Sequence, residues 1–424
     1  MRKQLLLGAM ALLGAVEAQE AVIYRGFAEL RQPQTLPQNE WVWEPGEALF
    51  QSLVPGTLRL IGVAEQSRRV EVAAQPNPLL AYVGKEVQFF WEGQWRKATL
   101  VSAERNLYLY EGRYLVGLPG TVAYPDPSGF SAAPGPRVTF LYQGAGAATL
   151  AYLTRALTWS LRYTLEDGEL TGWATLTNAL GRPLQLGRTE LVAGSVPLLE
   201  GGFNVPAPRP ETRMLQAAPA MADATEAEFV GETAGTYRYR LPGVVRLEPG
   251  LTELPFMRAR VQPVYLWRLQ TGFSTGRELA FVRGFRFVAP ENLAAGVVSI
   301  REQGVFVGQA STGDTAKGNN VTLILGADPE GRATRQVEQQ TRNRFRVTTS
   351  VRNPKSYPVE VEIQETMPQP FTLEVLDSAS GQTANAAVQP GEGLERTPEG
   401  YRIRFTLAPG QSRSYVYTLT LQQR

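Results

Sequence analysis

The chain has 424 residues, of which 42 are Lys or Arg, 40 are Asp or Glu, and none is His or Cys. Without His, neither an imidazole base nor a Ser-His-Asp triad is available. Without Cys, there is no thiolate nucleophile, disulfide, iron–sulfur cluster or Cys-ligated zinc. The net charge of +2 gives no electrostatic reason to expect nucleic acid as a partner.

Residues 1–18 have the pattern of a secretory signal peptide. Arg2 and Lys3 precede an apolar stretch from Leu5 to Val16, and Val16-Glu17-Ala18 resembles a small-residue cleavage site. The apolar stretch is too short to cross the ~30 Å hydrocarbon core of a bilayer as a helix. We therefore expect a protein exported to the periplasm, the cell envelope or the medium, and not an integral helical membrane protein.

Short runs in which apolar and polar residues alternate follow the signal segment. They predict an N-terminal β segment over residues 19–78. Residues 79–124 have five strand-like runs with tight turns at Glu92-Gly93 and Glu111-Gly112, which is typical of a small SH3-like barrel. Four aromatic residues of this barrel form a candidate interaction surface: Trp91, Trp95, Tyr108 and Tyr110. The alternative is that these side chains fill the barrel core and dock it on its neighbours.

The rest of the chain is expected to form two β-sandwich regions. Alternation predicts a central sandwich over residues 125–334 and a C-terminal immunoglobulin-like sandwich over residues 335–424. Within the central region, residues 206–232 are rich in Pro, Ala and Glu and lack strand alternation, which predicts a mobile loop. Met214 and Met221 make this loop a second candidate contact region.

Two short patterns recur along the chain. An Asn followed five residues later by Pro, and then by alternating apolar residues, occurs at Asn178–Pro183 and at Asn353–Pro358. A Pro-Gly pair, interpreted as a type II turn inside a hairpin, occurs at 45–46, 249–250 and 409–410. Together the two patterns favour repeated immunoglobulin-like modules.

A series of motifs runs through the middle of the chain: Tyr152-Leu153-Thr154, Leu157-x-Trp159, Tyr163, Gly172-Trp173, Thr177-Asn178 and Leu191-x-Ala193-Gly194. This series resembles a family of uncharacterised bacterial envelope β-sandwich proteins that includes the mucoidy-inhibitor-A-like proteins. Four further segments are similar to that family: 22–27, 82–87, 239–250 and 352–353. Members of the mucoidy-inhibitor type carry a coiled-coil insertion, for which this chain has no heptads. The resemblance implies export and β-sandwich modules, and it implies no catalytic residues.

Three routes to catalysis remain: carboxylate chemistry, Tyr, or a Ser–Lys pair. A pair of carboxylates could perform glycoside hydrolysis. Glu166, Asp167 and Glu169 cluster at a predicted hairpin tip, where solvated turn residues are expected. A second cluster, Glu360, Glu362 and Glu365, is interpreted as a solvent-facing strand edge. The spacing of the Asp residues fits no calcium loop. We therefore predict no catalytic, cofactor-binding or metal-binding residues.

These observations predict an all-β protein with multiple immunoglobulin-like β-sandwich modules and a small SH3-like barrel inserted near the N-terminus. We expect a non-enzymatic scaffold or protein-interaction protein of the cell envelope, whose partner is another envelope protein or a surface polymer. One alternative is a glycan-binding protein or a carboxylate-dependent glycan hydrolase. Another is a component that forms an outer-membrane β-barrel. The sequence leaves the oligomeric state open.

Overall fold

The computed structural model describes residues 19–72, 77–127, 135–198, 226–273, 276–367, 370–376 and 393–422. Most of these residues lie in strands, which confirms the all-β prediction. A short helix α1 (Glu47–Ser52) and a 3-10 helix (Pro78–Tyr82) interrupt the strands. No helix in the described part of the chain has the length and the apolar character needed to cross a membrane.

The described strands are, in chain order, β1 (Gln19–Ile23), β2 (Ala28–Leu36), β3 (Glu40–Trp43), β4 (Arg59–Ile61), β5 (Ala64–Glu71), β6 (Glu86–Trp91), β7 (Gln94–Ser102), β8 (Leu107–Tyr110), β9 (Arg113–Val116), β10 (Thr121–Ala123), β11 (Arg137–Gln143), β12 (Gly146–Thr154), β13 (Leu157–Glu166), β14 (Glu169–Asn178), β15 (Leu184–Ala193), β16 (Glu228–Thr233), β17 (Thr236–Leu241), β18 (Val245–Leu247), β19 (Gly250–Arg260), β20 (Val264–Gly272), β21 (Glu278–Val288), β22 (Gly296–Glu302), β23 (Val305–Thr312), β24 (Asn320–Gln339), β25 (Arg344–Arg352), β26 (Val359–Thr366), β27 (Phe371–Leu376), β28 (Gly393–Thr397), β29 (Gly400–Leu407) and β30 (Ser412–Leu421).

The first of two units contains segments 29–156 and 179–181. Its first part is a small sandwich, in which β3 and β5 flank β11 in one sheet and β2, β12 and β4 lie side by side in the other. Trp43 of β3 packs against Tyr152 of β12, with ring centroids 5.3 Å apart, so aromatic side chains fill the space between the layers. Because β11 and β12 pair with strands of the predicted segment 19–78, this sandwich continues past the predicted boundary at residue 124.

The small barrel is inserted between β5 and β11 of that sandwich, as the sequence predicts. Its sheet has the strand order β10-β6-β7-β8-β9 and curls around a core of its own. The core consists of Tyr82, Val87, Phe89, Ala98, Leu100 and Tyr108. Tyr82 comes from the 3-10 helix, which covers the core, and its hydroxyl donates to the carbonyl oxygen of Asp126 at 2.5 Å. This bond joins the chain segment that enters the barrel to the segment that leaves it.

The second unit contains segments 20–28, 157–178 and 182–424. Its first sandwich packs the strands β16-β17-β15-β1, with β18 beside β15, against the sheet β19-β14-β13-β22-β23. Trp159 of β13 donates from its indole nitrogen to the carbonyl oxygen of Val192 in β15 at 3.0 Å. Phe256 of β19 packs edge-on against Tyr239 of β17, with centroids 4.7 Å apart. The core of this sandwich therefore lies between the two sheets.

A nine-stranded sheet forms the remainder of the second unit, in the order β27-β30-β25-β24-β21-β20-β26-β29-β28. One buried cluster combines Trp267 and Phe281 from the middle strands with Tyr401 of β29 and Tyr417 of β30. Since β29 and β30 lie near opposite ends of the sheet, the sheet folds back on itself around this core. The result is a second immunoglobulin-like sandwich, which confirms the predicted fold class.

The two recurring sequence patterns meet at the corners of these sandwiches. Asn178 is buried at the end of β14, and its side-chain amide donates to the carbonyl oxygens of Arg182 and Leu247 at 3.0 and 3.1 Å. Asn353 follows β25 and donates in the same way to Tyr357 and Leu407 at 2.9 and 3.1 Å. In both modules the Asn thus joins the loop that precedes the Pro to the strand that precedes the Pro-Gly pair.

The Pro-Gly pairs do not lie inside hairpins, so that interpretation is wrong. Pro249-Gly250 connects β18, which pairs with β15, to β19, which pairs with β14. Pro409-Gly410 likewise connects β29, which pairs with β26, to β30, which pairs with β25. Both links therefore cross between layers of a sandwich. Pro45-Gly46 instead precedes α1, with Gly46 at its N-terminus.

One other predicted domain boundary differs from the structure. Two further predictions fall mostly or wholly outside the described residues. The predicted boundary between residues 334 and 335 falls inside β24, a strand of 20 residues. The predicted mobile loop 206–232 lies mostly outside the described residues, as do Met214 and Met221, and its last residues belong to β16. The predicted signal segment 1–18 is also outside the described residues.

Candidate functional site

Two tight turns lie at the same end of the small barrel. Glu92 and Gly93 have φ angles of 48° and 78°, and Glu111 and Gly112 have 46° and 74°. Positive φ at both central residues is the signature of the type I′ turn, whose twist matches that of paired strands. Because β8 runs antiparallel to β7, the turn that ends β8 lies beside the turn that begins β7. We call this end of the barrel the turn end.

Arg96 of β7 is fixed at the turn end by three contacts. Its guanidinium lies 4.9 Å from the centre of the Trp91 ring, donates to the hydroxyl of Tyr110 at 3.0 Å, and pairs with Glu92 at 3.0 Å. The hydrogen bond to Tyr110 raises the pKa of Arg96 above its ordinary value. A planar cation on an aromatic face is therefore held in one orientation, which lowers the entropy cost of using it in binding.

Trp95 projects from the other face of the same hairpin. Trp95 is 54% exposed, and its ring packs against Phe90, directly opposite on β6, with ring centroids 5.4 Å apart. A groove of about 460 Å³ runs beside it. The groove is lined by Gln88, Gln94, Trp95, Arg96, Lys97, Tyr110 and Glu111. An exposed indole thus borders a polar wall that carries both signs of charge.

The four aromatic residues of the predicted surface do not form one face. Trp95 and Tyr110 line the groove, and Trp91 is 40% exposed and supports Arg96 from the opposite face of the hairpin. Tyr108 is 2% exposed within the barrel core, where burial raises the pKa of its hydroxyl to about 12. Strand alternation explains this burial, because Tyr108 lies opposite Leu100 on the inner face. Tyr108 is therefore not a contact residue.

The polar side chains that complete the site were not predicted from the sequence. Arg96, Gln88 and Glu111 were not singled out, although each lies within three residues of a candidate aromatic. Alternation along β7 places Trp95 and Arg96 on opposite faces, so the pair can bracket the end of a hairpin. This alternation, together with the two neighbouring Glu-Gly turns, is the sequence pattern that indicates the groove.

The carboxylate clusters are engaged in structural pairs elsewhere in the chain. Asp167 accepts a hydrogen bond from the backbone of Gln303 at 3.1 Å, and Glu166 and Glu169 pair with Arg side chains at 3.6 and 3.3 Å. The interpretation of Glu360, Glu362 and Glu365 as a solvent-facing edge is wrong, because β26 lies between β20 and β29. Glu362 and Glu365 are both 1% exposed.

Each buried glutamate of β26 is matched by arginines. Glu362 contacts Arg268, Arg286 and Arg404 at 3.0, 2.6 and 2.9 Å. Burial acts to raise the pKa of Glu362, but the arginines outweigh it and the pKa is lowered. Glu365 pairs with the fully buried Arg335 at 2.6 Å. Glu362 therefore stays ionised beside its arginines, and Glu365 is the ion-pair partner of Arg335. The described residues hold no group of three His, Cys, Asp or Glu side chains that could bind a metal.

Comparisons with known proteins add no family: no protein-family model matches the chain, and no curated protein matches it. The resemblance to the mucoidy-inhibitor-A-like proteins therefore stays a prediction.

Proposed function

We propose that this chain is a non-enzymatic binding protein of the cell envelope that holds another envelope protein through the turn end of its small barrel. The observation that carries the proposal is the exposed Trp95 beside a groove in which Arg96 is already held in place. Tyr, Trp and Arg dominate the binding energy of protein interfaces when they are rigid and centrally placed. Export, on which the location depends, rests on the pattern of residues 1–18.

The binding surface is supported by the way the barrel is attached. Both ends of the inserted segment return to the same sandwich, since β5 and β11 pair with each other over seven residues of β11. The turn end belongs to two hairpins with short loops, so it has few residues that must be ordered on binding. A rigid aromatic site on an inserted barrel is suited to recognition and does not depend on any catalytic group.

Alanine substitution in the full-length protein tests this proposal. Proteins in intact cells are crosslinked, and those attached to the wild type, Trp95→Ala and Trp173→Ala are identified by mass spectrometry. Trp173 is the matched control, because it is 36% exposed on β14, outside the barrel. We expect one envelope protein to be attached to the wild type and to Trp173→Ala, and about tenfold less of it to Trp95→Ala. Equal attachment to all three proteins would contradict the proposal.

Glycan binding is the second candidate, and the lining of the groove favours it specifically. Amide and charged side chains next to an aromatic face provide hydrogen bonds for hydroxyl groups and a surface for the apolar face of a sugar ring. Arrays of envelope polysaccharides, probed with the same three proteins, separate the candidates. Retention of a polymer by the wild type and not by Trp95→Ala, without any attached protein, would favour the glycan.

A further inference from the structure

The outer strand of the barrel has an open edge. β9 is the last strand of its sheet, and among the described strands it pairs only with β8. Tyr110 and Arg113 flank the two-residue turn, so they form a hydrogen-bonded pair, and alternation makes Leu109 and Tyr114 a non-hydrogen-bonded pair. The N–H and C=O groups of Tyr114 and Val116 therefore point away from β8. They offer two donors and two acceptors along the edge.

The side chains of this edge are unusually exposed for their type. Tyr114 is 66% exposed and Val116 is 81% exposed, and Leu109, opposite Tyr114 on β8, is 37% exposed. Natural sheets commonly protect such edges with Lys, Pro or a bulge. β9 is short and carries one charge, Arg113, but it has no Lys, Pro or bulge: its sequence is Arg-Tyr-Leu-Val and its pairing with β8 has no register shift. Both its backbone and its apolar face are available to an added strand.

The size and charge of the edge limit what can occupy it. Four residues of strand bury far less than the ~1,200 Å² at the lower end of stable interfaces between folded proteins. The edge alone is therefore too small to join two copies of this chain, but it matches a short extended segment. The sequence carries one charge of each sign near each end of the edge, Glu111 and Arg113 at one end and Glu104 and Arg105 at the other. An uncharged segment fits this balance best.

We propose that β9 binds an extended, uncharged peptide segment of a partner protein as an added strand, with apolar residues at alternate positions. This inference rests on the proposed function in taking the partner to be a protein, but it uses a different surface from the groove. The main chain of the segment would bond to Tyr114 and Val116. Its alternate side chains would pack beside the exposed rings and methyl groups of the same two residues.

Hydrogen exchange of the full-length protein tests the backbone part. The probe is a capped heptapeptide of alternating Val and Thr, and the control peptide has Pro at its three Val positions. We expect the Val peptide to slow exchange of the amides of Tyr114 and Val116, which face away from β8. Exchange at Arg113 and Leu115, whose amides already bond to β8, should not change. Failure of the Val peptide to protect Tyr114 and Val116 would overturn the inference, as would equal protection by the Pro peptide.

Variants test the side-chain part and separate the two surfaces. Val116→Lys and Tyr114→Pro should each weaken binding of the Val peptide about tenfold, which is the loss expected for one or two edge contacts. Val101→Lys is the control, because Val101 is 39% exposed on β7, away from the edge. Circular dichroism confirms that each variant is folded. Unchanged binding by the folded Val116→Lys variant would overturn the inference.

Two further results assign a failure to one surface or the other. Trp95→Ala should leave binding of the Val peptide to the edge unchanged. Loss of peptide binding in Trp95→Ala would place the peptide in the groove. That result would overturn the assignment to the edge and leave the proposed function standing. Light scattering should show that the free wild-type protein does not self-associate through β9, so that Val116→Lys has the same apparent mass as the wild type. Such self-association would mean that a second copy occupies the edge, and it would also overturn the assignment.

Discussion

Single buried side chains decide how the sandwiches of this protein close. Asn353 is 0% exposed, and its amide nitrogen donates to carbonyl oxygens of Tyr357, Leu407 and Ala408. The backbone of Gly410 donates to the carbonyl oxygen of Asn353 at 2.9 Å. Asn353 thus forms hydrogen bonds with backbone groups of two connections between the layers, the one before β26 and the one before β30. Asn178 has the corresponding position in the other module.

Asn353→Ala should lower the free energy of unfolding by about 1–3 kcal/mol, because it leaves buried carbonyl groups without donors. Chemical unfolding of the full-length protein, followed by Trp fluorescence, measures the change. Asn320→Ala is the control, since Asn320 is exposed at the start of β24. A loss in Asn353→Ala no larger than in Asn320→Ala would show that the corner is not a main source of stability.

Residue-level predictions succeeded where alternation or a turn fixes the backbone. The turns at Glu92-Gly93 and Glu111-Gly112 are confirmed, and so is the beginning of new strands just after Pro183 and Pro358. Burial of charge could not be predicted in the same way. In the sequence Glu362 has the pattern of a solvent-facing residue. Its partners Arg268 and Arg404 belong to β20 and β29, which are distant in the sequence.

At the scale of the element, β24 shows how a turn-like sequence can lie within one strand. Asp328-Pro329-Glu330-Gly331 has the composition of a break, and it lies close to the predicted domain boundary. In the structure these residues form an irregularity opposite Phe281, and the strand continues on both sides. Asp328 anchors it by accepting hydrogen bonds from Tyr265 and Trp267 at 2.7 and 3.0 Å.

The carboxylate of Asp328 makes this element sensitive to acid. Burial acts to raise its pKa, but hydrogen bonds from Tyr265, Trp267 and the backbone of Glu330, together with the charge of Lys355, outweigh burial and lower the pKa from 3.8 to about 2. A depressed pKa gives stability that is present above the unfolded value and is lost as pH falls through the folded value. We expect the wild type to lose stability between about pH 4 and pH 2.

Asp328→Asn isolates this effect, because the amide does not titrate. Its stability should be lower than that of the wild type at neutral pH, and it should fall less steeply from about pH 4 to pH 2. Urea unfolding at a series of pH values measures both slopes. Parallel curves for the two proteins would show that Asp328 does not contribute to the acid response.

At the scale of the whole molecule, the sequence predicted the class of modules better than their limits. Period-2 alternation and turn residues are local, so they identify strands and an inserted barrel. The pairing of β3 with β11, and the continuation of β24 across residues 334 and 335, depend on contacts between residues far apart in the chain. The clearest long-range signal was the pairing of Asn178 with Pro249-Gly250 and of Asn353 with Pro409-Gly410, because each pair marks a corner where two segments distant in the sequence meet.

In the function that we propose, the turn end of the small barrel contacts a partner in the envelope. The most direct measurement places a photoreactive phenylalanine analogue at position 95 in the full-length protein and irradiates intact cells, with the same analogue at position 173 as the control. We expect one discrete adduct with an envelope protein from position 95 and none from position 173. The same adducts from both positions, or none from either, would contradict it.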